Sequence, residues 1–232
     1  MGCCNEKDSN AQYTSGMRLS LEEEEIIKFH ERSLVFSSVQ VKYFLRALEK
    51  IQSDGELTLQ QIQTALSEVN ISAERLSNPS SSTQKLFGIL QNQNSLFKSE
   101  TISLCSIVLG VGKSKRKAII LFGMYAKKDK NFINCEEVKV MMQDLLDVSI
   151  NKIPWIALDN KDKSLPHTLQ EKQIVEYIKE LSENTNSYIE TGISYLFKNK
   201  TELSLIEYLE RFRSHSELED FLSSFRLRLA LI

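Results

Sequence analysis

Apolar residues recur at i, i+3, i+4 and i+7 in one segment after another, as in Val41, Phe44, Leu45 and Leu48, then Ile62, Ala65, Leu66 and Val69, then Ala118, Leu121, Phe122 and Tyr125. The same spacing returns at Val138, Met141, Met142 and Leu145, at Ile174, Tyr177, Ile178 and Leu181, at Leu205, Tyr208, Leu209 and Phe212, and at Leu218, Phe221, Leu222 and Phe225. That period belongs to one face of an α-helix and not to a strand. The 8 Gly and 3 Pro among 232 residues agree, because a β-sandwich needs a turn every ~8–12 residues. A dinucleotide-binding α/β fold would need a Gly-rich loop as well. The expected class is all-α.

Helix starts are written beside the stripes. Ser20 and Glu23, Ser37 and Gln40, Thr58 and Gln61, Asn134 and Glu137, and Ser204 and Glu207 have the capping-box spacing. Three of these boxes follow a polar loop and a single apolar residue: Leu57 before Thr58, Ile133 before Asn134, Leu203 before Ser204. A recurring unit of helix, loop, apolar residue, cap and helix is the signature of an internal repeat. Breaks are expected at Ser77–Thr83, at the basic segment Gly112–Lys117, whose run Lys113–Lys117 reads as a solvated linker or, second, as a contact with anionic lipid, and at the polar run Asn151–His167. The expected organisation is a flexible tail over 1–20, an amino-terminal lobe over 21–111 and a carboxy-terminal lobe over 112–232, with an extra helix around Ile174–Leu181.

A net charge of -2 supplies no basic field for a phosphate backbone, which argues against nucleic acid as a partner. Four cysteines, two of them adjacent and two within helical patterns, form no disulfide framework, and the start of the chain does not read as a signal peptide. A cytosolic, reduced protein is expected. No apolar run approaches the ~20 residues needed to span a bilayer. The stretch Gly110-Val111-Gly112-Lys113-Ser114 imitates the end of a phosphate-binding loop, but Ile107 stands where that motif needs its first Gly. His30, His167 and His215 lack metal-ligand spacing, Cys105 and Cys135 read as core or helix-start residues, and nothing nominates a nucleophile. No enzymatic activity is expected.

The chain begins Met1-Gly2-Cys3-Cys4-Asn5-Glu6. Gly2 is a candidate for myristoylation and Cys3 and Cys4 for palmitoylation, although Glu6 stands where the first motif prefers Ser or Thr. One acyl chain binds a membrane marginally and no polybasic patch lies in residues 1–20, so a second chain would supply the missing affinity. Acyl contact with membrane lipid on the cytoplasmic face of a membrane is the localisation expected.

Four stretches together resemble the EF-hand superfamily, in its calcineurin B-like and neuronal calcium sensor branches. LFGMYAKKDKNFINCEEVKVMM, Leu121–Met142, looks like a hand with a twelve-residue loop over Ala126–Glu137. Val35–Leu66 resembles a first hand, Leu86–Leu104 a second and Tyr195–Phe212 a fourth. The resemblance implies two lobes of paired hands, with Leu57, Phe97, Ile133 and Leu203 at loop position 8 joining the loops of each lobe by a short β-bridge.

The loop chemistry departs from that family. A calcium loop needs oxygen ligands at positions 1, 3, 5, 7 and 9, Gly at 6 and a bidentate Glu at 12. The third loop offers Ala126, Lys128 and Lys130 at the first three of these and the fourth offers Leu196, Lys198 and Lys200. Ammonium groups there repel the ion, and Glu137 and Glu207 are explained as members of capping boxes. The second loop presents Asn92 and Asn94 and ends in Thr101; the first keeps Gly55, Asp54 and Glu56 as a remnant but ends in Gln61. Calcium is therefore disfavoured as a cofactor. The function expected is that of a membrane-tethered, non-enzymatic adaptor that presents an apolar groove to a partner's helix. Two alternatives stay open: a weak calcium sensor, and a structural subunit of a large assembly. The tail from Glu217 to Ile232 either folds into the protein's own groove or extends its partner surface.

Overall fold

The computed structural model describes residues 21–52, 55–78, 81–158 and 168–232. Among these, helix dominates and the strands are limited to two short pairs. In chain order the first part holds α1 (Leu21–Ser33), α2 (Val41–Ile51), β1 (Glu56–Leu57), α3 (Leu59–Glu68), α4 (Glu74–Ser77), α5 (Ser82–Leu90), β2 (Phe97–Lys98) and α6 (Ser99–Leu109). The second part holds α7 (Ser114–Tyr125), β3 (Phe132–Asn134), α8 (Cys135–Leu146), α9 (Glu171–Phe197), β4 (Glu202–Ser204), α10 (Leu205–Ser214), α11 (Ser216–Asp220) and α12 (Ser224–Leu229).

The stripes read from the sequence face inward. Val41, Phe44, Leu45 and Leu48 are buried, as are Val138, Met141, Met142 and Leu145, and Leu218, Phe221 and Leu222. Thr58 and Gln61, Asn134 and Glu137, and Ser204 and Glu207 form reciprocal capping boxes at the starts of α3, α8 and α10. Ser37 does not cap α2. Its hydroxyl instead donates to the carbonyls of Arg32 and Leu34 in the turn after α1, and Gln40 precedes the helix with no side-chain cap. Ser20 lies outside the described residues.

Each pair of strands joins two loops. β1 and β2 run antiparallel with Leu57 opposite Phe97, and β3 and β4 run antiparallel with Ile133 opposite Leu203. All four of these apolar residues are buried, so the pairing tucks a side chain from each loop under its own two helices.

Three expected boundaries are corrected. The basic run is not a solvated linker: α7 begins at Ser114, and Lys117 is buried with its ammonium donating to the Leu222 carbonyl at 3.0 Å. The extra helix around Ile174–Leu181 is not separate: no proline interrupts the chain, and α9 continues through the polar stretch Asn184–Ser187 for 27 residues in all, to Phe197. The polar run beyond Asn151 opens with a buried 3-10 turn, Ile153–Ala157, which packs against both α1 and α5. Its Pro154 stands in the first turn, where a missing N–H costs nothing.

One apolar core runs through both parts of the chain. At its middle lies α6, buried at Ile102, Leu104, Cys105, Ile107 and Val108 and, on the remaining face, at the small polar residues Ser99, Ser103 and Ser106. Its last turn meets Gly110, where an added Cβ would collide with the Ser106 carbonyl and stand 3.0 Å from the Val39 carbonyl. Only glycine allows the chain to pass there. Val111 then donates to the Val39 carbonyl and accepts from Val41, which sets the start of α7 beside the start of α2.

Candidate functional site

The four loops between the helix pairs are the sites singled out by the sequence. In the third, the Glu137 carboxylate turns back onto its own loop. Oε1 accepts the backbone N–H groups of Lys127 and Lys128, both at 3.0 Å, and Oε2 accepts that of Asn134 at 3.0 Å. Burial alone would raise its pKa, but these N–H groups and the Lys128 charge hold it below the usual carboxylate range. Ala126 is buried at the end of α7, while Lys128 and Lys130 are exposed around the turn.

The fourth loop closes with a cation of its own. Lys200 pairs with Oε1 of Glu207, and Oε2 of Glu207 accepts from the Ser204 N–H at 3.0 Å and its hydroxyl at 2.9 Å. The Lys200 ammonium, followed by Ser204, lowers the Glu207 carboxyl to about 2. Leu196 is buried rather than offered as a ligand, and Lys198 carries a positive φ of 49°. Asn131 and Thr201, at loop position 6, do not adopt positive φ, so neither loop makes the turn that glycine serves in a calcium loop.

The two amino-terminal loops are tied to each other. Gln61 Nε2 donates to the Ile51 carbonyl at 3.1 Å, fastening the end of the first loop to its start. Glu56 accepts from Asn92 of the second loop at 3.0 Å, and Ser99 donates to Gln52 at 2.5 Å. Gly55 and Ser95, each at loop position 6, carry φ of 77° and 63°. Asp54, the other half of the sequence remnant, lies outside the described residues, as do Gly2, Cys3 and Cys4. Among the described residues, no group of three or more His, Cys, Asp or Glu could hold a metal ion.

Sequence reasoning identified the poor ligands but missed what replaces them. At position 12 of three loops, a Gln or Glu bonds groups of its own loop. The signal was present in the same capping-box letters, since a Glu that caps its helix has one oxygen left to reach the incoming chain.

The carboxy-terminal tail packs onto the core. It folds back: Leu218, Phe221, Leu222, Leu227 and Leu231 are buried, and Leu218 packs beside Gly192 and Met142. Arg228 of α12, fully buried, anchors it. Nη2 meets Glu24 Oε1 at 2.6 Å, Nη1 meets Glu31 Oε1 at 2.7 Å, and Tyr177 donates to Glu24. Burial opposes the guanidinium charge, and Glu31 and Glu24 more than offset it, raising its pKa.

Among the described residues, two surface clefts lie along α7. One, of about 380 Å³, lies between α7 and α10 beside Ile206, which is 70% exposed; Leu209 and Phe212 line it with Lys115, Arg213, Glu210 and Glu219 mixed around them. The other, of about 370 Å³, lies between α2 and α7, with Leu45, Ile119, Ile120 and Met124 along it and Lys42, Arg46 and Arg116 toward one end. No described helix is long and apolar enough to cross a membrane. Compared with known proteins, the chain matches no family model and no curated protein.

Proposed function

We propose that the chain is an EF-hand-derived adaptor in which protein side chains have taken over the work of calcium, leaving a permanently set surface that docks a partner's helix. The observation that carries this reading is the occupation of the position-12 carboxylates: Glu137 is spent on three backbone N–H groups and Glu207 on Lys200. Support for the descent comes from the paired loops, with Leu57 opposite Phe97 and Ile133 opposite Leu203, each ahead of a capping box. Calcium sensors use the ion to shift helices and expose an apolar groove. Here Lys200 delivers the positive charge intramolecularly, and the clefts along α7 stand open without it.

The membrane tether in this reading rests on the Gly2-Cys3-Cys4 start. Two acyl chains would hold the adaptor at a bilayer surface where one would not.

Calorimetric titration of the full chain with Ca²⁺ tests the central claim. The expected result is no binding at micromolar ion and an unchanged circular dichroism spectrum; micromolar binding accompanied by a helical change would overturn it. Intact-mass analysis of native material tests the tether, with an unmodified Gly2 as the contrary result.

A further inference from the structure

The cleft between α2 and α7 has a polarity that the α7–α10 cleft lacks. Val41 donates to the Val111 carbonyl at 3.1 Å and Val111 donates to the Val39 carbonyl at 2.8 Å, so the two helices start side by side and run the same way. Both lack a side-chain cap and both lack an acid in the first turn, in contrast to the boxed starts of α3, α8 and α10. Helix N-termini carry partial positive charge, and here Lys42 and Arg116 add full charges to the same end, with Arg46 one turn further along α2. Among the described residues none of these three cations is ion-paired. Glu49 and Gln52 line the opposite end.

Between those ends the floor is apolar, with Leu45, Ile119 and Met124, and Gly123 forms part of the α7 wall. Glycine within a helix is unfavourable relative to alanine. Nothing lies within 4 Å of the place a Gly123 Cβ would occupy, so the fold itself gives no reason for it. A bare backbone at the wall of an apolar groove allows another helix to approach closely. The lining from Lys42 to Gln52 spans about 15 Å, or roughly three turns of helix.

We infer that this groove seats an amphipathic helical segment of a protein partner, about three turns long, running antiparallel to α2 and α7 with its acidic C-terminal end among Lys42, Arg46 and Arg116. That orientation opposes the partner's helix dipole to those of α2 and α7 and matches its charge to the basic end. Glu49 at the other end matches the positive N-terminal end of such a helix, a match that a uniformly anionic bilayer does not offer. The inference rests on the helix-docking reading above and fixes its place and direction.

Two fluorescein-labelled synthetic helices test it by anisotropy against the full chain. Both carry Leu at i, i+3, i+4 and i+7; one ends in a Glu-rich turn and the other in a Lys-rich turn. The expected result is at least tenfold tighter binding of the Glu-ended peptide, a reversal of that preference in the Arg46→Glu, Arg116→Glu chain, and at least tenfold weaker binding after Gly123→Leu with no fall in Tm. Equal binding of the two peptides, lost on Gly123→Leu, would overturn the polarity while leaving helix docking in place. Binding lost on Ile206→Glu and indifferent to Gly123→Leu would move docking to the α7–α10 cleft and overturn the groove. Failure of both peptides, with Arg46- and Arg116-dependent sedimentation on phosphatidylserine vesicles, would make the occupant a membrane and overturn the inference. Failure of both peptides and of the vesicles would overturn the inference and the docking reading together.

Discussion

Glu137 Oε1 accepts the backbone N–H of Lys127 at 3.0 Å, so the last residue of the third loop is bonded to its second. The same carboxylate also caps α8 through Asn134, which makes it a structural clasp. Replacing Glu137 with Ala removes the clasp and should cost about 1–2 kcal/mol by urea denaturation. Glu137→Gln keeps one carbonyl oxygen and should lose less. A stability equal to that of the parent chain in Glu137→Ala would show that the loop does not need this bond.

Arg228 shares its charge between Glu24 and Glu31, all three side chains being buried. Removing one member of such a cluster strands the others without compensation. Arg228→Ala should destabilise the chain by about 3–5 kcal/mol. An apolar replacement of the whole cluster, Arg228→Met with Glu24→Leu and Glu31→Leu, should recover much of that loss. Equilibrium denaturation of the two variants measures the difference, and equal destabilisation would rule out uncompensated charge as the cause.

Burial lowers the Lys117 ammonium to about 8 from its ordinary 10.5. Between these values the unfolded chain still holds a proton that the folded chain has released, so raising the pH favours the folded state. The gain should reach about 2–3 kcal/mol by pH 10.5, and it should be absent below pH 8, where both states are protonated. Lys117→Met should abolish this contribution. An unchanged pH slope in the variant would assign the rise to other groups.

Two glycines with opposite surroundings give a matched pair. A Cβ at Gly110 collides with the Ser106 carbonyl, whereas one at Gly123 meets nothing within 4 Å. Gly110→Ala should therefore destabilise by more than about 1 kcal/mol, the scale of steric overpacking. Gly123→Ala should stabilise by about 0.5–1 kcal/mol through helix propensity. Thermal unfolding of both variants reads the sign directly, and a loss of stability in Gly123→Ala would mean that the α7 wall is already packed.

The features legible in the sequence were those carried by short-range pattern. Three capping boxes need only local spacing, whereas the pairing of Leu57 with Phe97 and of Ile133 with Leu203 is long-range and was expected only from the family resemblance. Burial of charge was not legible, because Glu24, Glu31 and Arg228 meet across nearly the whole chain and each looks like a surface residue in its own helix. Lys117 was hidden for the same reason, its partner carbonyl lying at Leu222. The union of Ile174–Leu181 with the helix beyond it was missed because apolar stripes mark faces, and a face can lapse while the backbone continues. In the loops, the identity of the poor ligands was plain, but the bonds that replace an ion depend on side-chain reach, which spacing does not record.

The pairing of Glu24 with Arg228 also sets an order on synthesis. The two residues are 204 positions apart, so at the ordinary elongation rate of about 5–20 residues per second the carboxylate is made roughly 10–40 s before its guanidinium. Throughout that interval α1 carries two acids destined for the interior with no countercharge available. The first described helix therefore cannot complete its native burial while the chain is still growing, and the final docking of α12 is the step that locks it.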